Sequence, residues 1–337
     1  MKKIFNLIAS FVLLAGFSAC NKDGSDKPGL PPAPVPTVNY KGLTFISSGK
    51  STVCLAKVGA PDEITLEYST DESQWNPYTI GEKISMADGS FLLFRAGEQK
   101  NLTFSKGSDS YYHFEISGPV TAQGNIMSLL DRDFSTPLST NAFFALFEGC
   151  TSLLSAPELP ATTMEQGCYF RMFAECTGLT SAPELPAKVL ASNCYGMMFK
   201  GCSALTYVPD LPATEMVSYC YNNMFANCTS LKFAPELPAT RLDMGCYHCM
   251  FEGCTSLTSA PELPATELVS NCYEFMYKDC RNLRYVIGLF TTEPSEKTTK
   301  DWLSGVAASG TFIKSKKATW DVTSAHGVPE GWKIETW

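Results

Sequence analysis

The sequence predicts an α+β protein whose centre is a solenoid of six 26-residue repeats, preceded by a β-sandwich domain and followed by a small β cap. Three observations predict this class. Cysteines recur every 26 residues between residues 142 and 290, short strand-like runs precede them, and two further strand-like runs follow them. With 337 residues, of which 45% are hydrophobic and 18% charged, the chain has the composition of a folded protein.

Residues 1–19 have the features of a lipoprotein signal peptide. Lys2 and Lys3 precede an apolar stretch that ends at Phe17, and small residues and Cys20 follow it. This order is typical of a secretory signal peptide, and the stretch is too short for a membrane span. The small residues before Cys20 resemble a bacterial lipobox, which predicts cleavage after residue 19 and lipidation of Cys20. Ordinary signal cleavage beside an incidental cysteine is the alternative.

The segments between the signal peptide and the repeats predict a tether and a β domain. Residues 20–36 are polar and then proline-rich, which favours an extended tether. Residues 37–122 contain several short strand-like runs separated by polar turns, which predicts an antiparallel β-sandwich, and residues 123–141 connect it to the repeats. The chain is therefore expected to be an exported lipoprotein of the outer membrane, at the cell surface, with the lipid anchor as its only membrane contact.

Six copies of one unit occupy residues 142–290, in which C-Y-x-x-M-F-x-x-C precedes T-S-L-x-x-A-P-E-L-P-A-T. The three-to-four spacing of Cys168, Met172 and Cys176 predicts a short helical turn, whereas the prolines predict an extended stretch. Neither can bury its apolar side alone, so the copies must stack. A coil with one helical and one strand-like side is a leucine-rich-repeat-type solenoid. Residues 291–337 predict a β cap of two strands around a turn.

The repeat places cysteines in two columns. The first column is Cys168, Cys194, Cys220, Cys246 and Cys272, and the second is Cys150, Cys176, Cys202, Cys228, Cys254 and Cys280. Disulfides are usual in exported proteins, and coils stacked about 5 Å apart would permit them. We favour buried free thiols, because a disulfide would require adjacent copies to differ and they look alike.

The C-x-x-C of Cys246 and Cys249 is a pattern of redox pairs and of half-sites for zinc. Cys246 belongs to its column, the Cys249 position varies between copies as a surface position would, and no second C-x-x-C exists. Coincidence is therefore the favoured interpretation. The sequence predicts no metal site and no cofactor.

The M-F-x-G-C-T-S-L core, represented by Met250–Leu257, resembles the BspA-like leucine-rich repeats of bacterial surface proteins, including surface lipoproteins of Bacteroides-type bacteria. The resemblance covers about residues 142–290. It implies leucine-rich-repeat architecture and a role in binding or adhesion, without catalytic residues. The A-P-E-L-P segment is richer in proline than the usual unit of that family.

An acidic column is the main candidate site, and it consists of Glu158, Glu184, Asp210, Glu236 and Glu262. The alanines and leucines beside these acids are expected to point inward, so the carboxylates should point outward. Such a column would attract a cation or a basic partner surface. A solvated face that keeps the protein soluble is the alternative.

The predicted function is non-enzymatic binding or adhesion at the cell surface, with a host or neighbouring-cell protein as the partner. The chain has three histidines and no catalytic motif, and its net charge of −8 argues against nucleic acid. A glycan-binding accessory lipoprotein is an alternative if the tryptophans outside the repeats form an exposed platform. The favoured interpretation is that these tryptophans are buried anchors of small β domains. A structural protein of the cell envelope is another alternative.

Overall fold

The computed structural model describes residues 38–98, 102–320 and 326–337, which all belong to one compact unit, Val35–Trp337. The regular secondary structure of these residues is nearly all β. They form fourteen strands in three sheets, one four-residue 3-10 helix and one four-residue α-helix. The predicted α+β class, with a leucine-rich-repeat-type solenoid between a β-sandwich and a cap, is therefore wrong. The predicted signal peptide (1–19), Cys20 and the tether (20–36) lie outside the described residues.

The strands are short, at three to eight residues each. The first nine strands are β1 (Thr44–Ser47), β2 (Ser51–Val58), β3 (Leu66–Ser69), β4 (Asn76–Tyr78), β5 (Ile84–Met86), β6 (Phe91–Ala96), β7 (Ser105–Gly107), β8 (Ser110–Ser117) and β9 (Val120–Gln123). The later elements are the 3-10 helix (Ile126–Leu129), β10 (Leu153–Ser155), β11 (Ser259–Leu263), β12 (Tyr285–Gly288), α1 (Glu296–Thr299), β13 (Thr311–Lys314) and β14 (Lys333–Thr336).

The two N-terminal sheets share their core with the repeats. One sheet has the order β10-β9-β1-β6-β3-β4 and the other β5-β2-β8-β7. Strand β10 comes from the first repeat and pairs in parallel with β9. Phe114 of β8 stacks on Phe147 of the first repeat at 5.2 Å between ring centroids. In place of a self-contained sandwich, these strands cover the end of the repeat stack.

The C-Y-x-x-M-F-x-x-C segments form chains of tight turns. The N–H groups of Cys168, Phe170 and Met172 each donate to the carbonyl three residues earlier, at 3.1–3.2 Å. This bonding is that of β-turns, whereas an α-helix bonds to the fourth residue. The intervening N–H groups bond to a neighbouring copy, and that of Phe173 reaches the Met198 carbonyl at 2.9 Å. A helix would use these N–H groups internally, so it could not hold the copies together.

Left-handed residues recur within these turns and exclude a helix. Arg171 (φ +57°) and Glu175 (φ +60°) are examples. At the Glu175 position, larger residues alternate with glycine, all with positive φ: Gly149, Glu175, Gly201, Asn227, Gly253, Asp279 and Gly305. A Cβ on Gly201 would lie 2.5 Å from the Glu175 carboxylate, and one on Gly253 would lie 2.3 Å from Asn227 Oδ1. Each larger side chain therefore occupies the space over the glycine of the next copy.

Two aromatic columns run through the core at the spacing of the copies. Neighbouring rings of the first are 5.3–5.7 Å apart, and those of the second 5.8–6.0 Å. The first column is Phe147, Phe173, Phe199, Phe225, Phe251 and Tyr277, and the second is Tyr169, Tyr195, Tyr221, Tyr247 and Tyr273, all buried. Such stacking adds to the burial of large apolar surfaces.

The C-terminal region continues the stack. Strands β11, β12, β13 and β14 form one parallel sheet in that order. The predicted cap of two strands around a turn is wrong, because β13 and β14 are parallel. The N–H groups of Tyr277 and Asp279 donate to the carbonyls of Trp302 and Ser304, at 2.8 Å each. Residues 298–305 thus form a further turn unit, in which Trp302 stands where the repeats have methionine.

We expect Phe199→Ala to lower the free energy of unfolding of residues 35–337 by about 3–5 kcal/mol, because it leaves a cavity in the middle of an aromatic column. Phe233→Ala is the matched control, since Phe233 is 72% exposed, and it should change stability by less than about 0.5 kcal/mol. Urea denaturation followed by circular dichroism measures both. Equal effects of the two substitutions would contradict the arrangement of the column.

Candidate functional site

The acidic column lies on the outside of the proline-rich segments. The side chains of Glu158, Glu184, Asp210 and Glu236 are exposed, and Glu262 is half-buried. None of the five forms an ion pair with a described residue. Within the described ranges, no three histidine, cysteine or acidic side chains come together as metal ligands would. The column therefore presents separate, uncompensated carboxylates to solvent.

An apolar groove crosses this column between the first two copies. It has a volume of about 480 Å³, and its walls carry Glu158 and Glu184 among apolar side chains. Those apolar residues are Ala156, Pro157, Leu159, Pro160, Pro183 and Pro186. Proline rings line the groove while two carboxylates supply negative charge, so it suits a side chain with an apolar stem and a positive end, such as lysine or arginine.

Three exposed aromatic side chains lie on the same segments. Phe233 is 72% exposed, Tyr207 57% and Tyr285 38%. They share one position of the repeat, which we call the variable column: Ser155, Ser181, Tyr207, Phe233, Ser259 and Tyr285. Residues that recur in every copy do not reveal them, because these aromatic residues are departures from the repeat. Their signal in the sequence is the replacement of a recurring serine by a large aromatic residue.

The variable column and the acidic column present their side chains to solvent together. Phe233 and Glu236 are both exposed, while Ala234 and Pro235 between them are half-buried and buried. Where β11 meets β12, the pairing shifts by one residue between Ser259 and Glu262. Such a bulge changes the alternation of side chains along a strand. We call the two columns together the outer strip.

The second cysteine column links adjacent copies through its thiols. Each sulfur lies 3.0–3.1 Å from a backbone carbonyl of the preceding layer, as Cys176 does from the Phe147 carbonyl and Cys202 from the Phe173 carbonyl. A thiol that donates this bond must keep its proton. Every cysteine in the described part of the chain is free and buried, so both columns belong to the core.

The first cysteine column packs in the same core with different partners. The Cys168 thiol lies 3.6 Å from Met164 Sδ, and the Cys220 thiol lies 3.8 Å from Met216 Sδ. All five members have an exposed fraction of 0%. The structure thus places the cysteines of each predicted column in the hydrophobic core. There they pack as small hydrophobic residues do.

The C-x-x-C motif has an unexpected environment. Cys249, expected at the surface, is only 6% exposed and lies 3.8 Å from His248 Nε2, which is 3.6 Å from a Glu274 carboxylate oxygen. Burial, followed by the nearby Glu252 carboxylate, raises the pKa of the Cys249 thiol to about 12. Burial also lowers the pKa of His248. The pair is therefore a neutral thiol beside a neutral imidazole, which is not the charge state of an activated cysteine nucleophile.

The tryptophans outside the repeats do not form a platform. Trp302, Trp320 and Trp332 are buried, and each indole N–H donates to a backbone carbonyl, at 2.7–3.3 Å. Trp75 is half-buried under an arginine guanidinium 3.8 Å from its ring centroid, and Trp337 is 62% exposed. Sugar stacking by a group of tryptophans therefore has no geometric basis in the described residues.

Comparison with known proteins yields no match to a family model, to a curated protein or to a solved structure. In the described ranges, no helix reaches the length and apolar character that crossing a bilayer requires.

We expect the column thiols to resist iodoacetamide at about pH 8 in the folded protein and to react once guanidinium unfolds it. Burial raises the pKa of Cys202 and Cys254 to about 12, so the reactive thiolate is scarce in the folded state. Unfolded thiols ionise near pH 8.5, so this contribution to stability is complete below that pH and is lost as the pH rises towards 12. Mass spectrometry counts the labelled cysteines, and a mass that increases on reduction would reveal disulfides and contradict the structure.

Proposed function

We propose that this chain is a non-enzymatic binding protein that recognises a protein partner through the outer strip. The observation that carries the proposal is the pair of exposed aromatic side chains on adjacent copies, Tyr207 at 57% and Phe233 at 72%. Large aromatic residues are enriched at the centres of protein interfaces and dominate their binding energy. Serine at the same position in other copies is compatible with the fold, so folding alone does not require an aromatic residue there.

The charges of the outer strip favour a basic partner. Asp210 and Glu236 follow Tyr207 and Phe233 by three residues each, and Glu158 and Glu184 line the groove on the two preceding copies. The chain as a whole has a net charge of −8. Such a field accelerates the approach of a positively charged surface and disfavours acidic ones. The resemblance of the repeat core to those of bacterial surface proteins supports the same role.

Arrays of extracellular proteins and of glycans, probed with residues 35–337, test this function. We expect a protein ligand whose affinity falls about tenfold or more in the double variant Tyr207→Ser with Phe233→Ser, because two interface anchors are lost. Both substitutions introduce the residue of neighbouring copies. Met244→Ser is the matched control, since Met244 is 43% exposed and lies outside the outer strip. Affinity is measured by surface plasmon resonance.

A second pair of substitutions separates charge from apolar contact. Glu158→Gln with Glu184→Gln should slow association and weaken its dependence on salt, because steering of a basic partner depends on charge. Protein binding that survives the aromatic double variant, or an array signal from glycans alone, would contradict the proposed function. An unchanged association rate after loss of the two carboxylates would contradict a basic partner. It would not contradict binding through the two aromatic residues.

Anchoring at the cell surface is proposed from the sequence alone, since Cys20 lies outside the described residues. We expect the full chain to incorporate radiolabelled palmitate in a bacterial host and Cys20→Ser to abolish that label, because the lipid is attached to the cysteine sulfur. Protease treatment of intact cells then distinguishes an outward-facing chain from a periplasmic one. Equal labelling of both chains would show that Cys20 is not the lipidated residue.

Glycan binding is the second candidate, favoured by one observation. A polar groove of about 380 Å³ crosses the turn side of the later copies. Its polar lining includes Lys200, Asn223, Asn227, Glu252, Asp279 and Arg281. Amide, carboxylate and cationic groups are suitable partners for sugar hydroxyls. The glycan array described above tests it, and Asn227→Ala should weaken any signal that depends on this groove.

A further inference from the structure

Strand β14 leaves one edge of the parallel sheet open. The N–H groups of Lys333 and Trp337 donate to the carbonyls of Gly310 and Lys314, at 2.9 Å each, on the side of β13. In a parallel pair, every second residue directs both of its backbone groups to the neighbouring strand. The backbone groups of Ile334 and Thr336 therefore point away from β13, towards an edge that no described strand covers.

This edge lacks two of the features with which proteins prevent pairing, a proline and a bulge. Edge strands are commonly interrupted by proline or by a bulge. Strand β4, at the edge of another sheet, contains Pro77, and the pairing of edge strand β7 contains a register shift. Strand β14 has neither a proline nor a shift and pairs with β13 over four consecutive residues. It can therefore accept another strand without rearrangement.

We propose that β14 pairs antiparallel with β14 of a second copy of this chain, around a twofold axis at Ile334. In that register Lys333 of each copy lies opposite Glu335 of the other, so the Lys-Ile-Glu sequence is complementary to itself. Ile334 lies opposite Ile334, and its outward N–H and carbonyl groups form the closely spaced pair of antiparallel hydrogen bonds. A parallel register would instead place like charges opposite each other.

The charged side chains of β14 are already disposed for this contact. Lys333 Nζ lies 2.6 Å from Glu335 Oε1 within one chain, and these side chains are 73% and 42% exposed. Both are on one face of the strand because they are two residues apart. A second copy adds an opposite charge to each of them.

An exposed aromatic residue adjoins the edge. Trp337 is 62% exposed and lies three residues beyond the proposed axis. In the antiparallel register it extends past Lys333 of the second copy, towards the turn that contains Gly331, and the glycine has no side chain to obstruct the indole. Burial of this ring adds apolar area to a contact that otherwise consists of backbone hydrogen bonds and ion pairs.

Sedimentation analysis of residues 35–337 over a range of concentrations tests the proposal. We expect a concentration-dependent dimer in the unaltered protein. Lys333→Glu and Glu335→Lys should each raise the dimer dissociation constant about tenfold or more, because each places two pairs of like charges opposite one another. The double variant Lys333→Glu with Glu335→Lys should restore the dimer. Lys106→Glu, an exposed lysine on β7, is the matched control.

The double exchange also restores the ion pair between residues 333 and 335 within one chain, so folding is checked separately from pairing. Circular dichroism verifies that all variants are folded. A protein that remains monomeric at millimolar concentration overturns the proposal. A dimer that neither single charge reversal weakens overturns it as well. Neither outcome bears on the outer strip, whose binding is measured separately.

Discussion

The division of backbone hydrogen bonds between two directions is the constraint on which this structure depends. In each turn segment, one N–H group bonds within the copy and the next bonds to a neighbouring copy, as Met172 and Phe173 show. Half of the N–H groups in these segments thus fix the turns, and the other half set the distance between copies. The stacked rings, the thiol–carbonyl contacts and the close approach of side chains to glycines all follow from that distance.

The sequence predicts which residues share a column, because bonds between copies keep equivalent residues adjacent. It does not predict the conformation of the unit, since apolar residues spaced by three or four occur in a helix and equally in a chain of turns. Left-handed residues such as Arg171 and Met197 decide between them, and nothing in these two side chains indicates this conformation. The unit at residues 298–305 has Trp302 in place of methionine and no cysteine, so the repeat pattern does not extend to it.

The sequence predicts only part of the candidate site. The acids repeat, so their column can be found by counting 26 residues. Tyr207 and Phe233 are departures from the repeat, and a search for self-similarity discards them. Interior positions of a stacked array are held constant by contacts with both neighbours, whereas outer positions have no such contacts. Residues that recognise a ligand are therefore expected among the exceptions to the pattern.

The alternation of glycine with a larger residue sets a rule for how such an array can change in length. Glu175 needs Gly201 beside it, and Asn227 needs Gly253. Removing one copy would bring together either two bulky residues in a space made for one or two glycines with a gap between them. Removing or duplicating an adjacent pair preserves the alternation at this position. A segment of twice the visible period is thus the smallest piece whose removal leaves this alternation of glycine and larger residues intact.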